Sequence, residues 1–68
     1  MKIRYDAEAD AMYIKLKEGV VDHTKEIDEN TIVDFDKEGM VIGFEILFVK
    51  EKNPHLLREV QVENVLAA

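Results

Sequence analysis

The chain contains no cysteine and no serine, and its 68 residues include only one proline, three glycines and two histidines. The absence of cysteine excludes a thiolate nucleophile, a disulfide framework and a zinc knuckle. The absence of serine removes a common hydroxyl nucleophile, and neither His23 nor His55 has a companion ligand at a metal-binding spacing. No apolar run approaches the roughly 17 residues needed to cross a bilayer. The opening Met1-Lys2-Ile3-Arg4-Tyr5-Asp6 lacks the apolar stretch of a secretory leader, so a cytoplasmic location is expected. Cations are also in deficit: nine Lys and Arg stand against fifteen Asp and Glu, a net charge of -6. That balance repels phosphate backbones and anionic bilayers, so neither nucleic acid nor membrane is an expected partner.

What is present is a globular composition, 47% hydrophobic and 35% charged, sufficient for one small domain over residues 1–68. A chain this short buries only about 60% of the surface its unfolded form exposes, and such a core seldom supplies more than ~3–5 kcal/mol. With neither disulfide nor metal to reinforce it, self-association is the remaining supplement, and a homodimer is the first expectation. The acidic balance suits solubility, or a basic protein partner such as a small toxin.

Residues 2–6 alternate, with Ile3 and Tyr5 on one side and Lys2, Arg4 and Asp6 on the other, the period of a half-buried strand. Residues 6–10 break that period as a turn in which Asp6 accepts hydrogen bonds from the following amides. Alternation resumes at Ala11, with Met12, Ile14 and Leu16 sharing a side, and ends at Gly19 in a Lys-Glu-Gly turn. Residues 20–27 are β-branched but charged in the middle, the pattern of an edge strand that avoids foreign pairing. After a turn at 28–30, residues 31–36 place Val33 and Phe35 opposite Asp34 and Asp36, and a second Lys-Glu-Gly turn leads into residues 40–49.

In that last segment only Gly43 and Glu45 are not large and apolar: Met40, Ile42, Phe44, Ile46 and Phe48 alternate with Val41, Leu47 and Val49. A strand apolar on both sides is covered on both sides, which makes Val41, Phe44, Leu47 and Val49 the candidate interface residues. Ten residues at ~3.3 Å each would span about 33 Å, so a bend or bulge is expected near Gly43. Lys50-Glu51-Lys52 reads as a charged break, and Asn53-Pro54 as the cap and first position of a short helix through Arg58. Residues 59–63 alternate strictly, favouring a final strand over a helix running to the C-terminus. The fold class is therefore mainly β, bordering on α+β: a small twisted antiparallel meander of five to six strands with a short helix near the C-terminus.

Three blocks carry a resemblance. Met1-Lys2-Ile3-Arg4-Tyr5-Asp6-Ala7-Glu8-Ala9-Asp10-Ala11-Met12-Tyr13-Ile14, Ile32-Val33-Asp34-Phe35-Asp36-Lys37-Glu38-Gly39 and Val41-Ile42-Gly43-Phe44-Glu45-Ile46-Leu47 resemble domain-of-unknown-function family 2283 in content and order. The resemblance covers residues 1–49. It implies a short prokaryotic protein consisting mostly of this one strand-rich domain, with no established activity and hence no catalytic residues to carry over. Residues after Val49 depart from the pattern and rest on periodicity alone.

Four carboxylates could carry chemistry. Asp34 and Asp36, two apart on a strand, project from one side about 7 Å apart, a spacing that suits a divalent cation or a split acid and base; the ordinary reading is a solvated outer face. Asp10, with Asp6, flanks a turn and either joins them or caps it. Glu45 interrupts an apolar side, where an unpaired carboxylate costs several kcal/mol, so the preferred reading gives it a structural partner in Arg4, Tyr13 or Lys15, or a place at an interface rim. Lys2, Arg4, Lys15 and Lys17 form a basic stripe with Tyr13 between them, for which ordinary cross-strand pairing with carboxylates is favoured over a phosphate contact. No catalytic residue, metal-ligand set or cofactor is assigned. The expectation is a non-catalytic homo-oligomeric interaction or regulatory module; the alternative is a carboxylate-based metal-binding protein or small metal-dependent enzyme using Asp10, Asp34, Asp36 or Glu45.

Overall fold

The computed structural model describes residues 1–65, and its five strands follow the alternating segments. β1 (Lys2–Asp6) and β2 (Ala11–Lys15) form an antiparallel hairpin with Ile3 opposite Ile14 and Tyr5 opposite Met12. The Asp6 carboxylate tightens its turn, accepting the amides of Glu8 and Ala9 at 3.0 and 3.2 Å. β3 (His23–Asp28), β4 (Thr31–Phe35) and β5 (Val41–Leu47) form a three-strand meander whose last strand pairs with β2. The order β1-β2-β5-β4-β3 puts the most apolar strand in the centre and the polar β3 at an edge, with all six of its residues exposed.

To reach β3 the chain must pass the ends of β5 and β4, roughly 14 Å at ~4.8 Å per strand. Residues 16–22 make this crossing, held by the Leu16 amide on the Ile42 carbonyl at 2.9 Å and the Asp22 amide on the Phe35 carbonyl at 2.8 Å. The third strand therefore starts at His23 rather than at residue 20, and Val20, in the crossing, is 84% exposed. Two further carboxylates build turns. Asp28 accepts the Asn30 amide at 2.8 Å, and that bond, followed by one from Thr31, holds its carboxyl below the usual range. Asp36 accepts the amides of Glu38 and Met40 at 3.0 and 2.9 Å, around a Gly39 whose φ of 81° suits a residue without a Cβ.

The bend expected near Gly43 is a bulge. Asp34 pairs with Gly43 and Phe35 with Val41, so Ile42 is the extra residue of β5. A Cβ on Gly43 would come within 3.0 Å of the Ile14 carbonyl oxygen, which explains the glycine. An extra residue inverts the alternation beyond it. Val41, opposite Phe35, thus falls on the side of Phe44 and not with Leu47, as strict alternation has it.

The registers define two faces. On one, Ile3, Ile14, Phe44, Val33 and Lys25 form a row across all five strands, beside a second row of Tyr5, Met12, Ile46, Thr31 and Asp28. On the other run Lys2, Lys15, Gly43, Asp34 and Thr24, then Arg4, Tyr13, Glu45, Ile32 and Glu26. Met12 and Val33 are the buried members of the apolar face, and Ala11 and Ile42 are buried elsewhere.

Past Leu47 four expectations are corrected. Phe48 adopts a left-handed backbone, φ 55°, which ends the strand before residue 49 and turns Val49 inward to 0% exposure. Lys50-Glu51-Lys52, read as a break, is helical in α1 (Val49–Lys52), as good helix formers allow once the first turn is anchored. The proline segment makes a single 3-10 turn (Pro54–Leu57) without a side-chain cap from Asn53. Residues 59–63 are neither strand nor helix: Val62 is 79% exposed, and alternation without a sheet edge to join forms no ladder. A helix to the C-terminus would also take in residues 66–68, which lie outside the described residues. The α1 helix packs chiefly against the 3-10 turn, and the Val49 amide, bonded to the Asp10 carbonyl at 3.2 Å, ties it to the end of the sheet.

Candidate functional site

The candidate site lies on the charged face and follows from one missing side chain. In the row Lys2, Lys15, Gly43, Asp34, the glycine leaves a gap between a basic wall on β1 and β2 and a carboxylate on β4. The displaced Ile42 and the crossing at Gly19 and Val21 close one end, giving a hollow of about 260 Å³. Lys2, Arg4, Lys15 and Lys17 all line it. The basic stripe of the sequence is thus one wall of a concavity.

Cross-strand pairing accounts for only part of that wall. Lys15 bonds Glu18 at 2.9 Å, and this hydrogen bond and its charge, with the charge of Lys2 adding, hold the Glu18 carboxyl below the usual range. Lys17 lies 3.9 Å from Asp36. Lys2 and Arg4 form no ion pair among the described residues. Lys2 stands directly opposite Lys15, an unfavourable juxtaposition, while the Arg4 guanidinium sits 5.5 Å from the centre of the Tyr13 ring, held by cation–π attraction.

The four candidate carboxylates are dispersed, and among the described residues no group of three or more Asp, Glu or His converges on a metal position. Asp10, in a left-handed conformation at φ 52°, is a clamp: its Oδ1 accepts the Tyr5 hydroxyl at 2.7 Å and the Lys50 amide at 2.8 Å, and its carbonyl accepts the Val49 amide at 3.2 Å. The tyrosine bond, followed by the Lys50 amide, lowers the Asp10 pKa, and the bond to Asp10, followed by partial burial, raises that of Tyr5. It caps a helix forty positions away, a link that no local pattern announces. Asp36 holds the β4–β5 turn, so it lies beyond the strand and does not pair with Asp34 as a two-residue strand spacing implies. Asp34 lines the hollow. Glu45 is half-buried, Tyr13 and Ile32 are its register partners, and the described residues give it no hydrogen bond or ion pair; Arg4 is engaged on the tyrosine ring instead.

The interface candidates also divide. Val41, Phe44 and Leu47 are half-buried, but Val49 is enclosed by its own chain and is removed from the set. A second, open groove has Glu18, Asp22, Asp36 and Glu38, with Lys37 as the one cation of its lining, around Val20 and Val21. His23 is exposed, stacked on Phe35 with ring centres 4.9 Å apart and bonded to Asp22 at 2.8 Å. The buried Asn30 Oδ1 has no hydrogen-bond partner among the described residues.

A family model described as "Protein of unknown function (DUF2283)" matches residues 2–50. The matched segment holds all five strands and ends at Lys50, whose amide the Asp10 clamp holds. No curated protein and no solved structure matches the chain.

Proposed function

The chain belongs to DUF2283, a family of proteins of unknown function, and we propose from its own geometry that it is a non-catalytic interaction module that pairs with a second copy through the apolar face of its sheet. One observation carries this reading: Ile14, Phe44 and Ile46 are only half-buried and Ile3 is 37% exposed, although they form adjoining apolar rows of the sheet. Charge on those rows is confined to Lys25 and Asp28 on the edge strand β3, so the centre of the face meets a copy of itself without opposed like charges. Only five apolar residues are buried among the described residues, a small core that association would reinforce.

Sedimentation of the full chain at micromolar concentration tests the reading. A dimer is expected for the parent, and Ile3→Lys, at the exposed end of the row, should shift it to monomer. A parent that sediments as a stably folded monomer refutes it. A second reading concerns the acidic groove around Val20 and Val21, whose charge suits a basic protein partner such as a small toxin; binding that is unchanged by Glu18→Lys with Glu38→Lys would sink it. The metal-dependent alternative predicts stoichiometric heat on titration with magnesium, manganese or calcium, and the module reading predicts none.

A further inference from the structure

We propose that the hollow on the charged face binds a small molecule through a dianionic oxyanion, a phosphate or a paired carboxylate, seated on Lys2, Arg4 and Lys15. Four of the nine cations in an acidic chain line this one concavity, against a single lining carboxylate, Asp34. Lys2 and Lys15 are held opposite one another, and neither Lys2 nor Arg4 has a carboxylate partner among the described residues. Glu18, bonded to Lys15 at 2.9 Å, offsets part of that repulsion, and a dianion between the two lysines relieves the rest. The Arg4 guanidinium, already oriented over the Tyr13 ring, keeps its donor edge for planar or tetrahedral oxygen groups at a reduced ordering cost.

The walls are not alike, and this gives the ligand a direction. The Asp34 carboxylate reaches over Gly43, its Oδ2 3.8 Å from where a Cβ there would sit, whereas Lys15 stands across the glycine on β2. The anionic end lies toward β1 and β2, and a hydroxyl or ammonium donor at the other end reaches Asp34. The size of the ligand follows from electrostatics. Charge is screened over about 8 Å at physiological ionic strength, so a small dianion inside the hollow feels the local cations. A polyanion reaching beyond it meets the acidic remainder of the surface, including the Glu18 and Glu38 side of the crossing.

Amide NMR spectra of the full chain, titrated with inorganic phosphate and then with O-phosphoethanolamine, test the site. Shifts confined to residues such as Lys2, Arg4, Tyr13, Lys15 and Gly43 are expected, with the amine-bearing probe binding more tightly and losing that advantage in Asp34→Asn. Replacing Lys2 and Arg4 together by Gln should weaken phosphate roughly tenfold or more, while the variant melts cooperatively near the parent. Absence of localised shifts, or shifts that survive the double substitution, overturns the proposal. Equal or tighter binding of a single-stranded oligonucleotide also overturns it, in favour of an open polyanion surface.

Discussion

The two faces of the sheet are built from the same five strands and differ only in which parity of residues they receive. One takes Ile3, Ile14, Phe44 and Val33 in a row; the other takes Lys2, Lys15, Gly43 and Asp34 one residue away. A sheet whose two sides draw on alternate residues therefore has two distinct surfaces, one whose energy comes from excluding water and one whose energy comes from fixed charge. Substitutions on one face should leave the other intact, and each expected outcome below is a way to break that separation.

The largest effect should come from Phe44, central in the apolar row. Phe44→Ala is expected to cost about 3–5 kcal/mol, the range for aromatic truncation in a packed core, which a domain of this size does not survive. Because Phe44 is only half-buried within one chain, a loss of that size also requires that a second copy cover it. The parent's thermal midpoint should then rise with protein concentration, as it does whenever a partner binds only the folded form. A midpoint independent of concentration, with a loss near half that range, breaks the assignment of this face to assembly.

Next comes the Asp10 clamp, which ties the end of the sheet to α1 and belongs to neither face. Its folded pKa lies below the ordinary 3.8, so its contribution is fully present above the unfolded value and disappears as pH falls through the folded one. Asp10→Ala should therefore melt below the parent at about pH 7, with the gap closing as pH falls through the folded value. Tyr5 runs the other way: its pKa is raised above 10.0, so its share persists below that value and is lost as pH rises through the folded one. Melts of Asp10→Ala and Tyr5→Phe across both limits check the signs. Phosphate binding in the hollow should not change in either variant.

What could be read from the sequence follows the same division. Parity located β1, β2 and β4 and grouped Lys2, Arg4, Lys15 and Lys17 on one side. The charged middle of residues 20–27 marked β3 as the edge, and the length of residues 40–49 with a glycine inside put the bend near Gly43, because each depends on local sequence. What escaped depends on distant partners. Lys50-Glu51-Lys52 becomes helical where a carboxylate forty positions earlier holds its first amide, and the alternating residues 59–63 form no strand where no edge receives them. The hollow was hidden for a third reason: it arises from a side chain that is missing, at Gly43, and from the bulge that moves Ile42 out of sequence parity.

The smallest effect, and the sharpest test of the separation, is at Glu45. As a carboxylate inside an apolar strand it called for a structural partner, whose loss in Glu45→Leu would strand a buried group. The structure instead puts it on the charged face beside Tyr13, half-buried, with no bonded partner among the described residues. Both Glu45→Gln and Glu45→Leu should then change stability by no more than about 0.5 kcal/mol, as partly solvated substitutions do. The charge should still be felt by the neighbouring hollow: at about 10 Å in water a unit charge is worth ~0.4 kcal/mol before screening, so removing it should tighten phosphate binding by less than about twofold. Denaturant melts read the first quantity and phosphate titrations the second. A Glu45→Leu variant destabilised by several kcal/mol would show that this carboxylate is paired after all and that the charged face is also a structural one.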